Sequence, residues 1–96
     1  MAHGFLVHDA EDQVGVAVRD LKAREHVSGV YLISGKQIEI TTTEEIPLGH
    51  KVALTDIEVG DGLRKYGEVI GTVTRPIQTG AHVHVHNVKS VRWGSM

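Results

Sequence analysis

Three stretches of this chain share one spacing. Leu21, Arg24 and Val27 follow Asp20 at intervals of three, Ile57, Gly60 and Leu63 follow Asp56, and Ile77, Gly80 and Val83 follow Pro76. An aliphatic residue, a turn residue and a second aliphatic residue at that interval describe one helical-type turn. It is stopped in the left-handed backbone region and feeds a strand. Glycine enters that region without a Cβ clash. Arg24 breaks the glycine rule and carries on the order of 1 kcal/mol of strain if it is left-handed. Asp20 and Asp56 are expected to open their turns as caps. The units are too unlike for a solenoid. They predict a small all-β fold of short strands, with short helical turns between them.

The rest of the chain agrees. Eleven glycines in 96 residues leave room for many turns. Phe5–His8, Val14–Val18, Val52–Leu54 and Val69–Val73 read as short apolar strands. Val30–Ile33 and Gln37–Ile40 read as a hairpin through Ser34-Gly35-Lys36. Val14, Val16, Val18, Val52, Leu54, Ile70, Val83 and Val85 are the expected core. Residues 1–93 read as a single domain and 94–96 as a C-terminal tail.

A net charge of -2 argues against a nucleic-acid partner, which a basic surface would attract. No apolar run approaches the roughly 18 residues that span a bilayer, so no membrane partner is expected. No secretory leader is visible at Met1–Val7. Without cysteine there is no disulfide framework, thiolate nucleophile or thiolate zinc site. A cytoplasmic protein is expected.

The chemistry concentrates in Gly80-Ala81-His82-Val83-His84-Val85-His86-Asn87. Strict alternation reads as a strand with its three histidines on one face and its valines on the other. Such a face binds metal or protons. His84 and His86 stand roughly 6–7 Å apart on a strand, close enough to share an ion that needs a third ligand. His82 and His86 come out at about 13 Å by the same rise, too far for all three to hold one ion. The bland alternative is a polar sheet face.

Other candidates sit at turns. His50 after Gly49 is a candidate acid or base, and Lys51 a candidate for pairing with a carboxylate or sulfonate. Lys65 and Tyr66 supply a cation and a phenol donor beside Gly67. His8 has Asp9 beside it, a possible orienting carboxylate. Glu44 reads as a turn or solvent residue.

Taken in order, His8-Asp9 with Val14–Ala17, Ile46–Leu54, Lys65-Tyr66-Gly67 with Ile70-Gly71, and Gly80–Asn87 resemble the SAF domain of the altronate and galactarate dehydratases. The resemblance implies a small β-clip, or antifreeze-like, fold. That domain is usually fused to a large catalytic region. A free chain of about this length is similar to the alpha subunits of two-subunit sulfolactate sulfo-lyases, and the ending His86–Trp93 shares the likeness. Arg24, Gly62-Leu63-Arg64 and the stretch Val30–Thr43 depart from the family pattern.

The resemblance implies a lyase subunit that eliminates sulfite from (2R)-3-sulfolactate to give pyruvate. It acts with a large beta subunit on a small anionic hydroxy acid. A divalent metal of the ferrous type is shared with that subunit. His84, His86 and His50 are then the candidate catalytic residues. Lys51, Lys65, Tyr66 and Asn87 are the candidate substrate contacts, and His84, His86 and His8 the candidate metal ligands. Two other readings stay open. One is the small subunit of a split sugar-acid dehydratase, and the other a non-enzymatic antifreeze-like binding module.

Overall fold

A computed structural model of the chain describes residues 3–65, 68–84 and 86–90, with backbone only for Lys65 and Ser90. The described residues are all-β, the architecture expected of a β-clip domain. The strands are β1 (Phe5–Val7), β2 (Val14–Ala17), β3 (His26–Tyr31), β4 (Gln37–Thr41), β5 (Lys51–Ala53), β6 (Gly62–Lys65), β7 (Glu68–Val73), β8 (His82–Val83) and β9 (Val88–Ser90). One sheet has six strands in the order β4-β3-β1-β2-β5-β8, and the other has three in the order β6-β7-β9. Among the described residues only the β1–β3 strand pairing is parallel.

The turn repeat organises this fold, and it has a fourth copy. Ile46, Gly49 and Val52 keep the same spacing inside the segment that sequence reading treats as a candidate site. The copies pair: Leu21 bridges Ile46, and Ile57 bridges Ile77. The turn residues all have positive φ, at 60° for Arg24, 83° for Gly49, 91° for Gly60 and 89° for Gly80. The expected helical turns take the form of β-turns. His50 N–H donates to Pro47 O at 2.9 Å, Asp61 N–H to Glu58 O at 3.1 Å and Ala81 N–H to Gln78 O at 2.9 Å. A φ near +80° at the third residue is the mark of a type II turn.

Arg24 occupies the left-handed region as its spacing predicts. Its turn is clamped by a side chain. The Thr42 hydroxyl, 1% exposed, accepts the Glu25 N–H at 2.9 Å and donates to Lys22 O. Asp20 and Asp56 do cap turns, though each caps the turn of its paired copy. Asp20 Oδ1 accepts from Leu48 N–H at 2.8 Å, and Asp56 Oδ1 from Thr79 N–H at 2.8 Å. Gly80 is needed for space as well as for φ, since a Cβ there would lie 2.1 Å from Thr41 O.

Two apolar clusters fill the interior. Phe5, Val7, Ala17, Leu21, Val27, Ile40, Ile46 and Val52 form the first. Val14, Ala53, Ile57, Leu63, Val73, Ile77, Ala81 and Val83 form the second. Val14, Val52 and Val83 are buried as expected, while Val16, Leu54 and Ile70 are only half-buried. Val18 is a correction: it lies beyond the end of β2 and is 42% exposed. Leu32 and Ile33 belong to the exposed loop between β3 and β4 rather than to a strand. Val85 and the 94–96 tail lie outside the described residues.

The histidine strand is the larger correction. β8 stops at Val83, and the chain turns back from His84 to Asn87 before β9 begins. Asn87 N–H and Val88 N–H both donate to His84 O, at 3.1 and 3.0 Å. The Asn87 side chain accepts from His84 N–H at 2.9 Å and donates to His82 O at 2.8 Å. An asparagine amide that bonds local backbone offers the chain an alternative to the strand ladder, and here it wins. No helix among the described residues is long and apolar enough to cross a membrane.

Candidate metal centre

β5 and β8 run antiparallel with Val52 opposite His82 and Lys51 opposite Val83. Side chains two apart on a strand share a face. His50, one step ahead of β5, therefore falls on the side of Val52 and His82. The ring nitrogens His50 Nδ1 and His82 Nε2 lie 2.8 Å apart. His84 comes alongside, with its ring centre 4.6 Å from that of His50 and 5.5 Å from that of His82. The turn at Asn87 then brings His86 back, its ring centre 5.3 Å from that of His82.

The spacing expected of a straight strand therefore fails between His82 and His86. His82, left out of the expected ligand set, sits between the other three rings. Glu44 joins them from the segment that follows β4. Thr43 N–H donates to Gly80 O at 3.0 Å, which fixes that segment beside the entry to β8. The Glu44 carboxylate accepts His82 N–H at 3.3 Å. Potential ligand atoms of His50, His82 and His84 all lie within 4.8 Å of one another, and so do those of Glu44, His82 and His86.

His50 and His82 are half-buried, while His84, His86 and Glu44 are exposed. Burial above all, then the neighbouring His50 and His86, pushes the His82 imidazole below its ordinary value of 6.5, against the opposing pull of Glu44. A neutral imidazole keeps a lone pair for a metal or a proton. The short contact between His50 and His82 requires a proton on one nitrogen and a lone pair on the other. This arrangement holds one proton between two bases or, with a modest parting of the rings, one cation.

The other sequence candidates lie elsewhere. Lys51 shares the face of Ala53 on β5, opposite His50. His8, exposed beyond β1, lines an apolar groove of about 230 Å³ with Leu6, Val14, Val16, Val18 and Leu32, and belongs to neither ligand group. Asn87, expected to contact substrate, is 6% exposed and has both amide atoms engaged with the backbone of the histidine turn. Lys65 reaches the description only through its backbone in β6, and Tyr66 lies outside it. The asparagine ending the histidine run is a turn signal that sequence reading had available. Glu44 had no local signal, because a pairing between distant segments places it.

The altronate/galactarate dehydratase SAF domain matches residues 3–91. The chain is 39% identical over 94 residues to the (2R)-sulfolactate sulfo-lyase subunit alpha of Chromohalobacter salexigens, covering 97% of this chain and 100% of that protein. The same subunit from Paracoccus pantotrophus is 46% identical over 54 residues, which cover 56% of this chain and 81% of that one. The altronate dehydratase of Bacillus subtilis is 36% identical over 86 residues, which are 90% of this chain but 16% of that enzyme.

Proposed function

This chain belongs to the altronate/galactarate dehydratase SAF-domain family, and from that premise we propose that it is the small subunit of a two-subunit carbon–sulfur lyase. The substrate is (2R)-3-sulfolactate and the products are sulfite and pyruvate. The observation that carries the reading is the alignment along the full length of a sulfolactate sulfo-lyase alpha subunit. The dehydratases hold the same domain as a small part of a much longer chain. A large beta subunit supplies the remaining wall of the site, and both act in the cytoplasm.

The cluster suits a divalent metal, and Glu44, His82 and His86 are the group that would hold one of the ferrous type. Its donors are nitrogen-rich, half-buried at His50 and His82, and convergent. When bound, the metal polarises the hydroxy-acid end of the substrate.

The elimination removes the C2 proton and releases the C3 sulfonate as sulfite with its bonding pair, leaving an enol that becomes pyruvate. Sulfite leaves without a proton, so a base is the principal requirement on the enzyme. In this reading His84, exposed and beside His50, takes that proton. Asn87 holds the backbone of both His82 and His84, so it positions the bases rather than touching substrate.

A split sugar-acid dehydratase is the second reading, favoured by the similarity to altronate dehydratases. It must protonate a departing hydroxide, so it needs an acid as well. Co-expression with a sulfo-lyase-type large subunit, followed by assay of sulfite release from sulfolactate and of water loss from altronate and galactarate, separates the two. Sulfite release by the assembled pair, and none by this chain alone, is expected. Dehydration without sulfite release, or full activity of this chain alone, overturns the reading.

A further inference from the structure

The cluster contains two ligand groups, and they share a residue. His50, His82 and His84 offer three imidazoles, while Glu44, His82 and His86 offer two imidazoles and a carboxylate. We propose that these five side chains form one site with two overlapping seats for a single divalent cation, in which the chemistry of the cation selects the seat. The proposal rests on reading the cluster as a metal centre and is independent of the substrate.

The two seats differ in hardness. Three imidazoles with a position left open suit zinc. Two histidines and a carboxylate with open positions suit ferrous or manganous ions, which accept oxygen donors more readily. Glu44 is not a passing surface acid at this place. The Thr43–Gly80 backbone bond anchors its segment, and its own carboxylate already touches His82 N–H. The neutral His82 imidazole has two ring nitrogens but one lone pair to give. Its Nε2 points at His50, so filling the first seat commits that ring and denies it to the second. Zinc in the imidazole seat thus excludes manganese or iron from the carboxylate seat.

The full chain, stripped of metal, is titrated with Mn²⁺ and followed by electron paramagnetic resonance, then with Zn²⁺ against a chelating indicator. One equivalent of cation in total is expected, with Zn²⁺ displacing Mn²⁺ one for one. Glu44→Gln weakens Mn²⁺ binding by at least about tenfold, the scale on which even outer partners of a metal act, and leaves Zn²⁺ nearly unchanged. His84→Ala does the reverse, and His86→Ala repeats the Glu44→Gln pattern. Both of these histidines are exposed, so their removal spares the core. His82→Ala weakens both ions. Simultaneous binding of two equivalents overturns the proposal, as does Glu44→Gln weakening both ions alike or neither, or failure of the wild-type chain to bind Mn²⁺.

Discussion

His50 Nδ1 and His82 Nε2 stand 2.8 Å apart across the pairing of β5 and β8. The contact joins residues 32 positions apart in the chain. It brings two imidazole nitrogens into contact where a straight, solvent-facing strand would have left the histidines unrelated.

Stability of the metal-free chain should fall as the pH drops below about 6.5. Burial and the neighbouring rings hold the His82 imidazole below that value in the folded state. Above pH 6.5 neither state binds the proton, so stability is level. Below it the unfolded chain takes up a proton that folded His82 refuses, and the loss grows until the pH reaches the lowered folded value. Urea unfolding from pH 8 to pH 5 in the presence of a chelator measures this. His82→Gln should flatten the slope, and an unchanged slope in that variant would assign the effect to other groups.

Asn87→Ala should destabilise the domain by about 1–3 kcal/mol, because it deletes two part-buried bonds from the side chain to the backbone. The buried side chain accepts from His84 N–H and donates to His82 O. The same change should weaken metal binding although no ligand is removed. Denaturant unfolding and a metal titration of the same variant check both halves. Loss of stability with metal affinity intact would show that the turn does not position the rings.

Arg24→Gly should stabilise the chain. Arg24 has φ 60° and is exposed. A non-glycine residue there gives up roughly 1–2 kcal/mol, against the roughly 0.5–1 kcal/mol of backbone entropy that glycine loses on folding. A net gain of about 0.5–1 kcal/mol should appear as a higher denaturant midpoint with an unchanged slope. A decrease would mean that the Arg24 side chain contributes more than its exposure suggests.

Gly80→Ala should be far more damaging than Gly60→Ala. Both positions have nearly the same positive φ, at 89° and 91°. A Cβ at residue 60 meets nothing within 4 Å, while at residue 80 it lies 2.1 Å from Thr41 O. The shared φ penalty of about 1–2 kcal/mol cancels in the comparison, so the excess measures the clash. Residue 80 also anchors Thr43 and hence Glu44, so the variant should lose Mn²⁺ affinity. Equal destabilisation at the two sites would contradict the close approach.

Much of the fold was legible from local rules. The spacing of Leu21, Arg24 and Val27, and of its two counterparts, announced turns with left-handed residues, and Arg24 adopts that conformation. Val14, Val52 and Val83 are interior because β-branched runs beside turn glycines have few other uses. The copy at Ile46, Gly49 and Val52 was equally visible, but its histidine and lysine drew it into a functional reading. Val18 shows the limit: its alternation is that of a strand, yet β2 ends one residue earlier.

By itself the sequence determined an all-β domain of short strands and the presence of histidines enough for a metal or proton site. Those properties depend on residue type and near neighbours, which the chain states directly. Only the tertiary structure decided which histidines meet. The Asn87 turn ended β8 and brought His86 back to His82. The register of β5 against β8 set His50 on the face of His82 and turned Lys51 away. The pairing of Thr43 with Gly80 delivered Glu44 from a segment distant in sequence. Each outcome depends on a backbone bond, several of them between segments far apart in sequence, and a one-residue change of register reverses the face a side chain occupies.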